Sequence, residues 1–514
     1  MVNSEAYGSA VLTCNQMGAC DRWTVEQDFA SGMELMENAG AAVADVIMSR
    51  FADASPIHVF CGPGNNGGDG YVVARMLKHR GADVRLYALA KPKPGTDASL
   101  AAQLWDGEVL TFEDFRCEGS NGLLIDAVFG AGFTGKLPEA VSDVFRRAQN
   151  YPMRKLAIDV PSGLYGDTGL FSFAMPFDAT VTFFRKKPGH ICGYGPEICG
   201  EITVADIGVR ADFADEHRPA IFENSPALWR DQLQDRLRGT HKYRQGHVAI
   251  FSGPRFQTGA SRLSAQAAAR VGAGAVTLLG SEGALDVHAN HVTSIMLKEL
   301  ETQDARQALA SLNNVSAGVL GPGFGDFEEA RELCLSCLQS SAATSLKTFV
   351  MDADAISAFA ADPEQLFAAT HANPETTVVL TPHEGEFARL FPDLAADNTL
   401  GKLQMTLAAA KRAHAVIIYK GSDTVIASPD GELDGEALAA INTNGTTALA
   451  TAGSGDVLAG IIAGLAAQGM KPFFAACAAV WMHGEAGRKS GPICIAEDLV
   501  DALRTVRNSL QREN

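Results

Sequence analysis

The sequence predicts an α/β protein built as two domains, on three observations. Short apolar segments that read as buried strands alternate with segments of helical period, as at IHVF (57–60), YVVARMLKH (71–79) and ADVRLYAL (82–89). Glycine-bearing turns stand between strands and the helices that follow, beginning with CGPGNNGGDG at 61–70. The chain has 514 residues, more than one core ordinarily organises. Abundant Ala and Gly with only 7% aromatics favour helix-covered sheets over β-sandwiches.

Composition narrows the function classes. With 46% hydrophobic and 20% charged residues, each domain can bury a core. A net charge of -18 speaks against nucleic acid and anionic membranes, which call for clustered Lys and Arg. Phosphates remain possible ligands, because helix N-termini hold them through backbone N–H groups. Ten cysteines without framework spacing point to a reducing, cytoplasmic setting. Cys334 and Cys337 form a C-x-x-C, but EARELCLSCLQS has helical character and reads as a packed pair; zinc would need a second pair. MVNSEAYGSAVLTCNQ lacks the pattern of a signal peptide, and VLAGIIAGLAA after Asp456 is too short to span a bilayer.

Residues 210–240 are rich in charge with no glycine before Gly239, and read as a linker plus an entry helix. Alternation resumes at GHVAIFSG (246–253). The domains are expected at 1–222 and 223–514.

In the first half, Gly62, Gly64 and Gly67 fit G-x-G-x-x-G between a strand and a helix. The dinucleotide fingerprint also wants an acid after the second strand, where LAKPKPG places Lys91 and Lys93, so ordinary hydride-transfer binding is disfavoured, though lysines there could tolerate an extra phosphate. Three acids stand beside glycines. Asp69 either caps the following helix or faces a ligand. Asp126 ends the strand of LLIDAVFGAGFTGKLP (123–138), and Asp159 the strand of LAIDVPSGLYGDTG (156–169). Acids at the carboxyl ends of parallel strands face the crevice where doubly wound sheets bind ligands.

MENAG (36–40), GPGNNGGDG (62–70), DAVFGAGFTGK (126–136), AIDVPSG (157–163) and TVTFFRKKPGH (180–190) resemble, in this order, the NAD(P)H-hydrate epimerase family over residues 10–209. The resemblance implies a Rossmann-like domain that interconverts the R and S epimers of NADHX and NADPHX, reduced nicotinamide cofactors hydrated at C6. It implies a substrate site lined by Asn65, Asn66, Gly67, Gly68 and Asp69, by Gly130, Ala131, Gly132, Phe133, Thr134, Gly135 and Lys136, and by Asp159. It also implies a potassium ion held by Asn66, Asp126 and Ser162. Epimerising C6 makes and breaks a bond to a hydroxyl, so a carboxylate that moves protons is needed; Asp159 is the first choice and Asp69 the second. An amide, a carboxylate and a hydroxyl suit a monovalent cation. The glycines would let backbone approach the pyrophosphate and ribose. Similar domains serve as interaction modules in mRNA-decapping scaffolds, but three acids and both loops favour the enzyme.

In the second half, ALATAGSGDVLAGIIAGLA (448–466) sets a glycine turn before an apolar helix, with Asp456 in its first turn. Free N–H groups there stabilise a phosphoryl group in transit, and a carboxylate takes the proton of an attacking hydroxyl. Asp is also a common N-cap. Together with HKYRQGHVAIFSG (241–253), QTGASRLSAQAAARVGAGAVTL (257–278), VLGPGFG (319–325), VMDADAIS (350–357), VVLTPHEGEFARL (378–390) and AVIIYKGSDTVIAS (415–428), it resembles the ADP- or ATP-dependent NAD(P)H-hydrate dehydratase family, of ribokinase-like fold, over 241–500. The resemblance implies substrate contact by Ala260, Gly323, His383 and Asp456. Nucleotide contact falls to Lys420, Gly421, Ser422, Asp423, Thr424 and Gly455, with Mg2+ accompanying ADP or ATP. Phosphorylation of the C6 hydroxyl of the S hydrate would turn a poor leaving group into a good one, and loss of phosphate would restore NADH or NADPH. Asp456 would be the base and the Gly453–Gly455 turn the anion hole.

His383 has a plainer reading as a helix cap, and Asp352 and Asp354 either orient magnesium through water or merely end a strand. GSGD alone fits a vitamin or sugar kinase equally, whereas LTPHEGEF and GPGFG favour the dehydratase. A homo-oligomer is expected.

Overall fold

Runs such as IHVFC and LLIDA carry apolar side chains on both pleat faces, so they are stable only with both faces covered, as in a helix-flanked parallel sheet. The computed structural model describes residues 4–117, 121–173, 175–234, 245–300, 305–312, 314–339, 345–429 and 437–511. It divides into two compact units, Ala10–Pro219 and a second formed by Met1–Ser9 with Ala220–Asn514.

The first unit holds seven parallel strands: β1 (Ile57–Cys61), β2 (Val84–Ala88), β3 (Val109–Leu110), β4 (Leu123–Ala127), β5 (Arg154–Ile158), β6 (Ala179–Phe183) and β7 (Glu201–Ala205). Their order is β3-β2-β1-β4-β5-β6-β7, so the winding reverses between β1 and β4. Every residue of β1, β4 and β6 is buried. Helices α1 (Cys14–Glu26) and α2 (Gly32–Arg50) start at Thr13 and Ser31, each in a capping box with a residue three positions on. Helix α3 (Asn65–His79) follows β1 directly.

The second unit holds β8 (Ile221–Glu223), β9 (His247–Phe251), β10 (Ala275–Gly280), β11 (Met296–Glu299), β12 (Val315–Leu320), β13 (Thr348–Met351), β14 (Thr377–Leu380), β15 (Val416–Tyr419), β16 (Val425–Ala427) and β17 (Ala439–Ile441). The order β11-β10-β9-β12-β13-β14-β15-β16-β17-β8 reverses between β9 and β12. β15 and β16 pair antiparallel, as do β16 and β17.

The division falls at Pro219/Ala220, whereas a cut after residue 222 would sever β8, which pairs with β17. The short 3-10 helix Ser4–Ser9 also joins the second unit, where the Tyr7 ring lies 6.4 Å from that of Phe222. Within 210–240 the described helices are Asp212–His217 and Pro226–Trp229; residues 235–240, and 241–244 of the HKYR stretch, lie outside the described residues. Cys334 and Cys337 are both buried on the helix Phe327–Leu338, and all ten cysteines are free thiols. No helix among the described residues is long and apolar enough to cross a membrane.

Candidate active sites

A parallel sheet whose winding reverses opens a crevice at the carboxyl ends of its two central strands. In the first unit the segments leaving β1, β4, β5 and β6 converge there on a cavity of about 530 Å3. Asn65, Asn66, Asp69, Asp159 and the turn Gly130–Phe133 line it. Gly67, Gly68, Thr134, Gly135 and Lys136 do not; the last three are exposed, and the Gly135 carbonyl accepts from the Tyr165 hydroxyl at 2.8 Å.

Asp159 follows β5 with φ of +64°, a left-handed conformation that a non-glycine residue holds only where its surroundings enforce it. Its N–H donates to Val181 O at 2.7 Å, and its own carbonyl meets His190 Nε2 at 2.8 Å. Its Oδ1 accepts from Lys187 Nζ at 2.6 Å and Thr182 Oγ1 at 3.2 Å, and its Oδ2 accepts from Ala131 N at 2.8 Å. Burial alone would raise this carboxyl, but the Lys187 ammonium and these hydrogen bonds outweigh burial and hold it below the ordinary carboxylate range.

Asp69 is the opposite case. Burial, then the charges of Asp159 and Asp21, push it well above that range. Its carboxyl takes part in no hydrogen bond among the described residues. One cavity therefore holds two carboxyls whose proton affinities are pushed in opposite directions, the arrangement that acid–base pairs use.

Asp69 is not a helix cap. The N-cap of α3 is Gly64, and Asp69 falls in the second turn. The glycines before it explain why α3 starts so early despite poor intrinsic propensity. A Cβ on Gly67 would collide with the carbonyl of Gly62, and one on Gly68 would lie 2.6 Å from Met36 Cε. These two glycines serve the approach of chain to chain, rather than of chain to ligand.

Asp126 lies within β4, one residue before its end, and is fully buried. It accepts from Ser162 N and Ser162 Oγ, both at 2.7 Å, and from Val128 N at 3.1 Å. Burial pushes it up to about 6 against those hydrogen bonds. The Asn66 carboxamide is buried, and neither its oxygen nor its nitrogen has a partner among the described residues. It stands beside Gly130, where a built Cβ would lie 3.4 Å from Asn66 Cβ and 2.7 Å from Asp159 Oδ2. An orphaned buried carboxamide oxygen is a ligand in want of a cation, and this oxygen-rich donor set fits a hard monovalent one.

Sequence reasoning missed Lys187, Thr182 and His190, and also Cys14, Met17 and Asp21 of α1, which line the cavity. The one available signal was the basic pair in RKKPGH. Which lysine turns inward depends on the bend after β6, and Lys187 does, at 2% exposure.

In the second unit, Asp352 after β13 and Lys420 after β15 meet the start of the helix Ser454–Ala467. Gly453, with φ of +88°, is its N-cap and supplies no side-chain cap; Ser454 N donates to Thr451 O at 3.3 Å, and the Gly455 N–H stays open. A Cβ on Gly455 would lie 3.4 Å from Asp352 Oδ2 and 3.6 Å from Lys420 Nζ. Lys420 Nζ donates to Asp352 Oδ1 at 2.9 Å, and Glu386 lies 4.0 Å away. Burial alone would lower Lys420, but the Asp352 and Glu386 carboxylates outweigh it and raise the ammonium. Asp456 is pushed up to about 7 by burial and by the charge of Asp352, against the pull of Lys420.

Asp352 is a working member of this cluster, since Thr381 Oγ1 also donates to it at 2.7 Å. Asp354 instead accepts from Gly325 N at 2.8 Å. Ala260 and Gly323 come together, a Cβ on Gly323 falling 3.1 Å from that of Ala260. His383 takes its plainer role: its Nδ1 accepts from Gly385 N at 3.0 Å and from Glu386 N at 3.4 Å, capping the helix Glu384–Leu390. In the 420–424 turn, Gly421 N donates to Thr424 Oγ1 at 3.1 Å and Ser422 is exposed. Asp423 turns inward to Lys402 at 2.6 Å, a lysine that the sequence left unmarked.

Two sheets of reversed winding, the first all parallel and the second mixed, each presenting a buried aspartate beside a lysine and a helix start without a side-chain cap, define a two-unit α/β chain with a candidate site in each unit. Comparisons with known proteins agree. Residues 32–189 match the family described as YjeF-related protein N-terminus, and residues 248–493 match the NAD(P)H-hydrate dehydratase family. The chain is 35% identical to the bifunctional NAD(P)H-hydrate repair enzyme Nnr of Moorella thermoacetica, over 98% of this chain and 97% of the relative. It is 32% identical to the Escherichia coli protein of that name, over 92% and 89%. Among solved structures, the ADP/ATP-dependent NAD(P)H-hydrate dehydratase of Bacillus subtilis, co-crystallised with ATP and Mg2+, is 26% identical, covering 56% of this chain and 98% of its own with a TM-score of 0.48. The chain belongs to the family of bifunctional NAD(P)H-hydrate repair enzymes.

Proposed function

We propose that this chain repairs hydrated nicotinamide cofactors at two sites, epimerising NADHX and NADPHX in residues 10–219 and dehydrating the S epimer in the second unit at the expense of ADP or ATP. The observation that carries it is the lysine-paired aspartate chemistry of both crevices, Asp159 with Lys187 and the Asp456, Asp352 and Lys420 cluster.

In the epimerase, protonated Asp69 gives its proton to the departing C6 hydroxyl, which leaves as water while the ring nitrogen lone pair stabilises the cation left at C6. Water returns to the opposite face and loses its proton to a carboxylate, with Asp159 the ionised group in place. Asn66, Asp126 and Ser162 would hold a potassium ion, which supplies fixed positive charge near the loops that carry the substrate.

In the dehydratase, Asp456 takes the C6 hydroxyl proton as that oxygen attacks the terminal phosphoryl group. The open N–H group at Gly455, with Lys420, stabilises the transferred group. Phosphate then departs with the C6–O bonding pair, C5 loses a proton to solvent as the C5–C6 double bond forms, and the reduced cofactor is restored. Magnesium bound with the nucleotide supplies charge neutralisation along the phosphate chain. Cytoplasmic location, homo-oligomerisation and an open choice between ADP and ATP accompany this proposal.

The test is a pair of variants assayed on mixed R and S epimers. Asp456→Ala should abolish nucleotide-dependent recovery of reduced-ring absorbance and leave epimerisation intact. Asp159→Ala should leave the R epimer unconsumed while the S epimer is still repaired. Loss of both activities in both folded variants would refute the assignment of separate sites.

A further inference from the structure

The cavity holding Asp159 and Lys187 does not end at Asp69. A second cavity of about 390 Å3 opens beyond it between α1 and α2, and Asp21, Asn65, Asp69, Phe183 and Ile207 line both. Together the two fall in the range of about 300–1,000 Å3 typical of small-molecule sites. Three features show how a dinucleotide would divide between them.

The shared wall carries the start of α3. Its first N–H groups open at Asn65 without a side-chain cap, the place where a diphosphate binds. Asp69, on the same wall, is nine-tenths buried and its carboxyl joins no hydrogen bond among the described residues, so a ligand is the partner left to it. With the diphosphate on the Asn65 N–H groups, one arm runs toward Asp159 and brings the C6 hydroxyl to Asp69, and the other runs between α1 and α2.

The far cavity has the chemistry of a nucleoside site. Val25, Leu35, Met36 and Ala39 form an apolar wall, with a thioether suited to a flat ring. Glu26 and Asp97 stand at its polar side as acceptors for ribose hydroxyls. Gly32 makes room for the latter, since a Cβ there would collide with the Asp97 carboxylate. The acid missing from the end of β2 is therefore supplied further along the same connection, by Asp97. Lys91 and Lys93 are exposed and line neither cavity.

We propose that the cavity between α1 and α2 is the adenosine subsite of the epimerase, and that its carboxylates select the hydrate lacking a 2′-phosphate, NADHX over NADPHX. A 2′-phosphate carries a charge of about −1.5 to −2. It would meet Glu26 and Asp97 with Arg22 as the cation lining that cavity. This selection rests on the epimerase assignment above.

The test presents the separated R epimers of NADHX and NADPHX to the full chain without nucleotide, so that dehydration does not run, and follows epimer ratios by chromatography. The expected result is a kcat/KM at least tenfold higher for NADHX. Glu26→Lys and Asp97→Asn should narrow the gap, chiefly by raising kcat/KM for NADPHX. Val25→Trp, on a half-exposed rim position, should raise KM for both substrates with kcat little changed. Equal kcat/KM values indifferent to these variants would overturn the subsite. So would a preference for NADPHX that Arg22→Gln removes. If neither epimer is converted, the epimerase assignment fails instead; the subsite is then judged by calorimetry with NADH, and stands only if Val25→Trp removes a binding event.

Discussion

Lys187 and Asp159 show how one residue sets the chemistry of another. The lysine is almost wholly buried and its ammonium is the nearest positive charge to the carboxylate. Lys187→Met would leave Asp159 without its counter-charge in a buried place, a change that costs about 3 kcal/mol when a buried pair loses one member. Because the lysine holds the Asp159 carboxyl down, its loss should also move the acidic limb of the epimerase pH–rate profile to higher pH, which a merely structural role would not do. Lys187→Arg should restore much of the profile.

Asp456 works in the other direction. As a base it must be ionised, and it is pushed up to about 7, so dehydration kcat/KM should rise with pH through that value in the free enzyme. Asp352 contributes to the rise by like charge, so Asp352→Asn should shift the limb to lower pH even as it weakens the site. A limb unmoved by that substitution would count against the coupling.

At the scale of elements, α3 depends on glycines that most helices avoid. Gly67 faces the Gly62 carbonyl and Gly70 packs a built Cβ 2.5 Å from that of Ala127, so this helix lies against the strand it follows and its neighbour more closely than side chains allow. Gly67→Ala should therefore destabilise by about 1–3 kcal/mol through overpacking, despite the better helix propensity of alanine. Thermal unfolding checks it, and a stabilised variant would show the close approach to be dispensable. The same contact holds Asn65, Asn66 and Asp69 over the crevice, so epimerisation should fall with stability.

At the scale of the whole molecule, the first nine residues belong with the second unit, although the first unit follows them in sequence. Ala6 is fully buried and Tyr7 packs on Phe222 of β8. Deleting residues 1–9 should lower by a few degrees the melting transition that ADP or ATP stabilises, leaving the other in place. A shift confined to the transition that NADHX stabilises would contradict this division.

Much of the architecture was legible because strand periodicity, glycine turns and strand-end acids are local signals. IHVF, LLID and the turn before Asp456 announce buried strands and a helix start whatever surrounds them, and two motif sets in their families' order announce two sites. Protonation and partnership were not legible. Asp69 and Asp159 look alike in the sequence, yet one is pushed toward its acid and the other toward its anion, because Lys187, 28 positions beyond Asp159, turns inward on only one of them. The sequence left Asp69 open between a helix cap and a ligand-facing acid, and the helix start at Asn65 rules out the cap. The cavity between α1 and α2 exists only once two helices, the start of α3 and Asp97 are brought together. Local pattern determines which elements form; only their packing decides which charges meet in a low dielectric, and there the difference between an acid and its anion is made.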